Sequence, residues 1–469
     1  MKNALLLPVV YTTLFSMSVV LPEYSNYVFA LIVLVNALTL IMFPNKDIWA
    51  VFSSMLIGSE LLALVNIFIC ILFYAINNPV FLPRVKRSSF IICYLIFVTS
   101  LLFAIYNSAI WNFVFSVLYL IILALTYKVI RLKTTVGNVI LVIKFFIVLE
   151  FICTVIIALR IRMVKPGDLF GGTIYNSNYF ANWLILTLFL FVLLNMNFLK
   201  KSFLKTVEKN FLYFSMIFIM LYLCSAKSLY IALLLTLVLY FAFKYLFIVQ
   251  KNELFWFLVL LYVGFAVILK ILYLEPVEIF LSEKSRFLNI YIYEPGWNYK
   301  FEYFRGVFHN ELKGIRILFG YGLGQFGSRF ANAFAYETMW RNDNFINNFI
   351  SSNFSPKCLP QYAQYVSFYT KQFIDGIMWR SAIISYPFSS FITLVAETGV
   401  IGVSLVSYWL NKTFNNSKCK ILLYYFLIAC IFDIFFDNYQ CILPVLLYVS
   451  VYTGLENNFN AFNSCERSV

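Results

Sequence analysis

Between Arg87 and Lys128 there is not one charged residue. Uncharged apolar runs of this kind recur along the chain, each long enough to cross a hydrocarbon layer of about 30 Å as a helix. Backbone groups in lipid must be satisfied internally, so only helices and closed barrels cross. The runs lack the alternation of period two that barrel strands carry. Composition agrees: 62% of the 469 residues are hydrophobic and 12% charged, against about 25% charged in soluble domains. The expected class is an all-α, polytopic helical membrane protein.

The net charge of +14 would suit nucleic acid if it formed one patch, but it does not. One long hydrophilic segment, 275–385, holds 11 Lys/Arg and 9 Asp/Glu, a net of +2 that leaves +12 elsewhere. The excess gathers in short connections: Arg84, Lys86 and Arg87; Lys128, Arg131 and Lys133; Lys200, Lys201, Lys205 and Lys209; Lys244 and Lys251; Lys412, Lys418 and Lys420. Short basic connections belong on the cytoplasmic side, so this charge sets topology. It implies no nucleic-acid partner.

With those clusters inside, spans are predicted near 90–106, 109–127, 136–159, 179–198, 211–226, 229–249 and 254–274. The segment 275–385 then falls outside. Spans near 388–410, 419–436 and 440–454 follow, and the tail 456–469 is expected in the cytoplasm. Residues 1–80 hold three apolar stretches (4–21, 27–43 and 49–76) that would leave the N-terminus outside. Lys2 and an even span count favour a cytoplasmic N-terminus, which requires one stretch to be re-entrant or divided. The expectation is about 12 spans, or 13 if all three cross. No small-residue cleavage site follows the first run, so it reads as a retained span. The organisation is membrane spans over 1–274, the large outside loop over 275–385, and further spans over 386–455.

Nine cysteines are scattered, mostly in spans, and only Cys358 lies in the large loop. With His309 the single histidine, no transition-metal site and no cofactor are expected. GLGQFG at 322–327 matches GxGxxG, but a dinucleotide site needs that pattern in a soluble βαβ unit. In an outside loop the glycines serve either a plain turn or close backbone approach to a phosphate. The outside segments also carry Arg160, Arg162, Lys165, Lys227, Arg286, Arg305, Arg316, Arg329, Arg341 and Arg380, against the positive-inside bias. Singly such arginines pair with carboxylates such as Glu302 or Glu311; as a set they suit a diphosphate. Loop aromatics such as Tyr291, Trp297 and Trp379 suit an interfacial belt or a stacked sugar. Charges inside apolar runs are costly unless used: Glu60, Lys144, Glu150 and Glu397. Lys144 and Glu150 are six apart and are expected to meet different helices.

Four patches carry a resemblance: Arg162 with Gly172, Thr173 and Asn176-Ser177-Asn178; Ser225-Ala226-Lys227-Ser228; Arg305 ahead of Leu318-Phe319-Gly320-Tyr321-Gly322-Leu323-Gly324; and Ser390-Phe391 followed by Ala396-Glu397-Thr398-Gly399-Val400-Ile401-Gly402. Over roughly 140–410 the chain resembles the bacterial O-antigen polymerase and O-antigen ligase superfamily. The resemblance implies a GT-C-like helical fold in the bacterial inner membrane, with a periplasmic active site. It implies a metal-independent glycosyltransferase taking undecaprenyl-diphosphate-linked oligosaccharide as donor, with membrane lipid around it and a chain-length regulator as an associated protein. Arg305, Arg316 and Glu397 are the implied catalytic residues, and Arg160, Arg162, Lys227 and Arg286 the diphosphate-binding set. The base is open among Glu302, Glu311 and Glu397. Ligases place His-Asn where this chain has Phe388-Ser389, which favours a polymerase over a ligase. A flippase is the alternative from another class, and it needs no large outside segment.

Overall fold

A computed structural model describes residues 2–77, 87–130, 134–161, 170–199, 202–224, 226, 229–230, 232–237, 306–326, 389–414, 419–432 and 439–466. These residues form helices and turns, with no strand among them. Among the described residues, the helices ahead of the large hydrophilic segment include α1 (Lys2–Val20), α2 (Ser25–Met42), α3 (Asp47–Ser53), α4 (Glu60–Asn77), α5 (Arg87–Tyr106), α6 (Ile110–Val129), α7 (Val136–Ile161), α8 (Ser177–Asn197), α9 (Phe203–Lys209) and α10 (Phe211–Cys224). A short α11 (Arg316–Phe319) lies within that segment, and α12 (Ser390–Phe414), α13 (Lys420–Phe432) and α14 (Tyr439–Glu466) close the chain. Among the described residues, five helical stretches are long and apolar enough to cross a membrane: Pro22–Met42, Ile110–Val129, Val136–Ile161, Ser177–Asn197 and Ser390–Tyr408. α9 and α10 together make a sixth candidate, bent by 86° at Asn210. Shorter apolar helices, among them Leu6–Val20, Leu62–Asn77 and Tyr94–Tyr106, pack with them. The chain is a helical membrane protein.

Polar side chains set several helix starts. Asn176 caps α8 by accepting from the Tyr179 amide at 3.1 Å, and Ser202 does the same for α9 through Lys205 at 3.4 Å. Between them the helices bury a core rich in large rings, including Tyr11, Phe15, Trp183, Tyr425 and Tyr448. α8 and α14 are tied at two depths, by Asn182 Nδ2 to the Cys441 carbonyl at 3.2 Å and by the Thr187–Tyr448 hydroxyl pair at 2.7 Å.

The stretch 49–76 is divided. α3 and the 3-10 turn Ser54–Leu56 run up against α2, and α4 returns antiparallel to them. The pairing is read from its cross-links: the Tyr74 hydroxyl donates to Asp47, and Asn66 Nδ2 donates to Ser54 Oγ at 2.6 Å. Residues 47 and 77 therefore lie at one end of the bundle. Asn36 of α2 joins the hairpin, donating to Asn66 Oδ1 at 3.0 Å and accepting from Ser53 Oγ at 3.0 Å. The hairpin tip meets the turn Gly172–Ile174, where Thr173 Oγ1 donates to the Leu56 carbonyl at 2.9 Å. Gln440 Nε2 of α14 donates to the Ile57 carbonyl at 2.8 Å.

Three further expectations are refined. The span expected at 388–410 is a helix broken at Gly399, whose φ of 61° and ψ of −167° are not helical. The span expected to end at 454 continues as α14 to Glu466. The span expected at 254–274 and most of that at 229–249 lie outside the described residues.

Candidate active site

The break in α12 and the glycine string are halves of one joint. The carbonyls of Ala396 and Glu397 accept from the amides of Tyr321 and Gly322 at 2.8 and 2.9 Å. The helix gives up two carbonyls here and the string supplies their donors. Gly320 and Gly399 both have φ near +60° with extended ψ (67°, −154° and 61°, −167°), a region open in practice to glycine alone. They also face one another. A Cβ on Gly320 would lie 2.4 Å from the Glu397 carbonyl carbon, and one on Gly399 would lie 2.4 Å from that of Leu318.

The Glu397 carboxylate completes the joint. Oε2 accepts from the Gly324 amide at 2.8 Å and Oε1 from the Phe326 amide at 2.9 Å. Of the two uses open to the glycines, these amides serve a turn, and the anion they cradle is the chain's own. On its other side the string packs into the α5–α6 corner. Asn112 Nδ2 donates to the Gly324 carbonyl at 3.0 Å and Gln325 Nε2 to the Ala109 carbonyl at 3.3 Å. Below lies an apolar cavity of about 390 Å³ walled by α5, α6 and α12, with Leu323 and Glu397 at its edge. It shares Leu120, Ala124, Leu394 and Val406 with a second cavity of about 240 Å³ between α6, α12, α13 and α14.

Beside the string, Arg316 of α11 lies across the Tyr321 ring, 4.4 Å from its centroid. Its guanidinium donates to the Tyr321 hydroxyl at 2.8 Å, and that hydroxyl donates to Glu311. Glu311 and Tyr321 are buried, whereas Arg316 is half-buried. Glu311 ends a π-helical turn, Val307–Glu311, in which the Leu312 amide reaches the Val307 carbonyl at 3.0 Å. Such turns are rare and are frequent at functional sites.

Arg160 ends α7 with its side chain exposed, one guanidinium nitrogen 3.4 Å from the Val19 carbonyl. The Tyr175 hydroxyl reaches the Ser18 carbonyl beside it, and burial pushes that phenol above its ordinary pKa. Ser450 Oγ of α14 holds the Ile130 carbonyl at 2.7 Å, which sets the C-terminal end of α6 far from Gln440 and the 172–174 turn. The N-terminal end of α6, where the glycine string docks, therefore lies at the same end of the bundle as Arg160. Arg162, Lys227, Arg286 and Arg305 lie outside the described residues, as do Lys165, Arg329, Arg341, Arg380, Glu302, Cys358 and the loop aromatics. His309 is exposed.

Lys144 and Glu150 do meet different helices. Lys144 Nζ lies 4.6 Å from the Tyr213 ring centroid and 5.8 Å from that of Phe191. Glu150 is fully buried and accepts from the Thr173 amide at 3.1 Å and from its hydroxyl. Sequence reasoning missed the Asp47–Tyr74 contact and the Asn36–Asn66 pair. The available signal was an amide in the middle of each of two apolar runs. Among the described residues no three His, Cys, Asp or Glu side chains converge as a metal site would require.

Comparison with protein families, curated proteins and solved structures finds no match. The functional reading therefore rests on the sequence patches and on this geometry.

Proposed function

We propose that the chain is a polysaccharide repeat-unit polymerase of the bacterial inner membrane, GT-C-like and with about 12 spans. It transfers a growing glycan from undecaprenyl diphosphate to the terminal sugar of a second lipid-linked repeat unit. The observation that carries the reading is the joint between the glycine string and α12. It holds Arg316 at the end of the bundle that holds Arg160, in the same segment whose Leu323 lines an apolar cavity together with Glu397. A lipid diphosphate has those two halves, an anionic head for arginine forks and a long apolar tail. Its departure as a leaving group calls for stabilisation of developing negative charge, which fixed cations supply without a metal.

In this reading Arg305 and Arg316 face the reacting diphosphate, and Arg160, Arg162, Lys227 and Arg286 hold the two carriers. Glu397 positions the loop, since both its oxygens are engaged by loop amides. Arg316→Ala and Arg305→Ala are each expected to abolish long-chain polymer while single capped repeats persist, as read from the chain-length ladder on gels. Normal ladders in both would overturn the site. A deletion strain separates the classes. Single-repeat lipopolysaccharide supports the polymerase. Polymer stranded on its carrier would indicate a ligase, and loss of all outward-facing repeats a flippase.

A further inference from the structure

A glycosyl transfer needs a group to take the acceptor hydroxyl's proton, and the geometry at Tyr321 points to one. We infer that Tyr321 and Glu311 form the proton-accepting pair, an inference that rests on the transferase reading above. Glu397 is spent on two backbone amides and Glu150 on Thr173. Glu311 instead accepts from a phenol, and that phenol's oxygen is also the atom on which Arg316 rests. A plain staple between loop residues needs only an arginine and a carboxylate. Here a hydroxyl stands between them, able to accept one proton while passing on its own. The rare π-helical turn that ends at Glu311 sets the carboxylate at the phenol oxygen.

The step balances as follows. The acceptor's O–H bond breaks, and its oxygen forms the new bond to the donor's anomeric carbon. That proton goes to the Tyr321 oxygen as the phenol proton moves to Glu311. The anomeric C–O bond to the diphosphate breaks, and its electron pair leaves on the lipid diphosphate. Arg316 covers Tyr321. A donor diphosphate competing for its fork draws it aside and opens the phenol to the acceptor, so donor binds first.

The test uses the full-length protein in proteoliposomes, with undecaprenyl-diphosphate-linked repeat units extracted from a strain lacking it. Tyr321→Phe and Glu311→Gln are expected to lower kcat by about 100-fold or more with the donor KM unchanged, the scale of a lost general base. Arg316→Ala lowers kcat and also raises the donor KM. Wild-type kcat in Tyr321→Phe, whose ring still stacks under Arg316, overturns the inference whether or not Glu311→Gln folds. A KM effect without a kcat effect overturns it too, because that marks a merely structural contact. Absence of transfer by the wild type overturns the transferase reading, and the inference with it.

Discussion

Glu397 is a buried acid whose two oxygens each hold one backbone amide. A bond to a charged acceptor contributes about 1.5–3 kcal/mol, and a buried donor left without a partner costs about 1–3 kcal/mol. Glu397→Ala should therefore destabilise by several times the cost of Glu397→Gln, which retains one acceptor oxygen. The buried thiols of Cys70, Cys153, Cys224, Cys419, Cys430 and Cys441 report this directly, as the midpoint at which heating exposes them to a thiol-reactive dye in detergent. Equal midpoints for the two variants would mean that water replaces the carboxylate at no cost. That the acid mattered was legible in the sequence, because a charge in an apolar run needs a reason. Its partner was not, since the amides it holds lie 73 and 71 positions away and backbone donors leave no mark on side-chain identity.

At the scale of an element, the joint between α11 and α12 depends on two glycines that cross at van der Waals distance. Gly399→Ala puts a methyl group against the Leu318 carbonyl carbon at 2.4 Å and demands a φ that alanine resists, at about 1–3 kcal/mol for the backbone alone. The expected outcome is release of the 316–326 segment from α12, seen as faster proteolysis of that segment with the rest of the bundle intact. Unchanged cleavage would show that the joint is not what holds it. The glycine string advertised positive φ in the sequence, but not which of its two uses applied. That choice was made by the Glu397 helix, which the string meets only in three dimensions. The hairpin α3–α4 was legible only as a parity problem. Half a span and a whole span are equally apolar, and the tip is fixed by Thr173 and Gln440, far along the chain.

Across the whole molecule, the hairpin bears on that parity. Because α3 and α4 are antiparallel, residues 43–46 and Asn77 lie at the same end of the bundle. With α1 and α2 crossing once each, the N-terminus joins them there. Reporter fusions at residues 1, 82 and 469 should then all report the same compartment, with one inserted at 340 reporting the opposite one. An N-terminal reporter on the opposite side from residue 82 would remove α1 or α2 as a crossing. The charge-free runs and basic connections carried this frame in the sequence, because lipid admits few alternatives to a helix. One hydrogen bond within it has a consequence for synthesis. Gln440, which holds the hairpin tip at the Ile57 carbonyl, is translated 383 residues after it. At about 5–20 residues per second, this second anchor arrives some 20–80 s after the tip emerges. The first membrane segments to be made are thus among the last to be locked, and a truncated chain that stops short of α14 leaves them open to quality-control proteases.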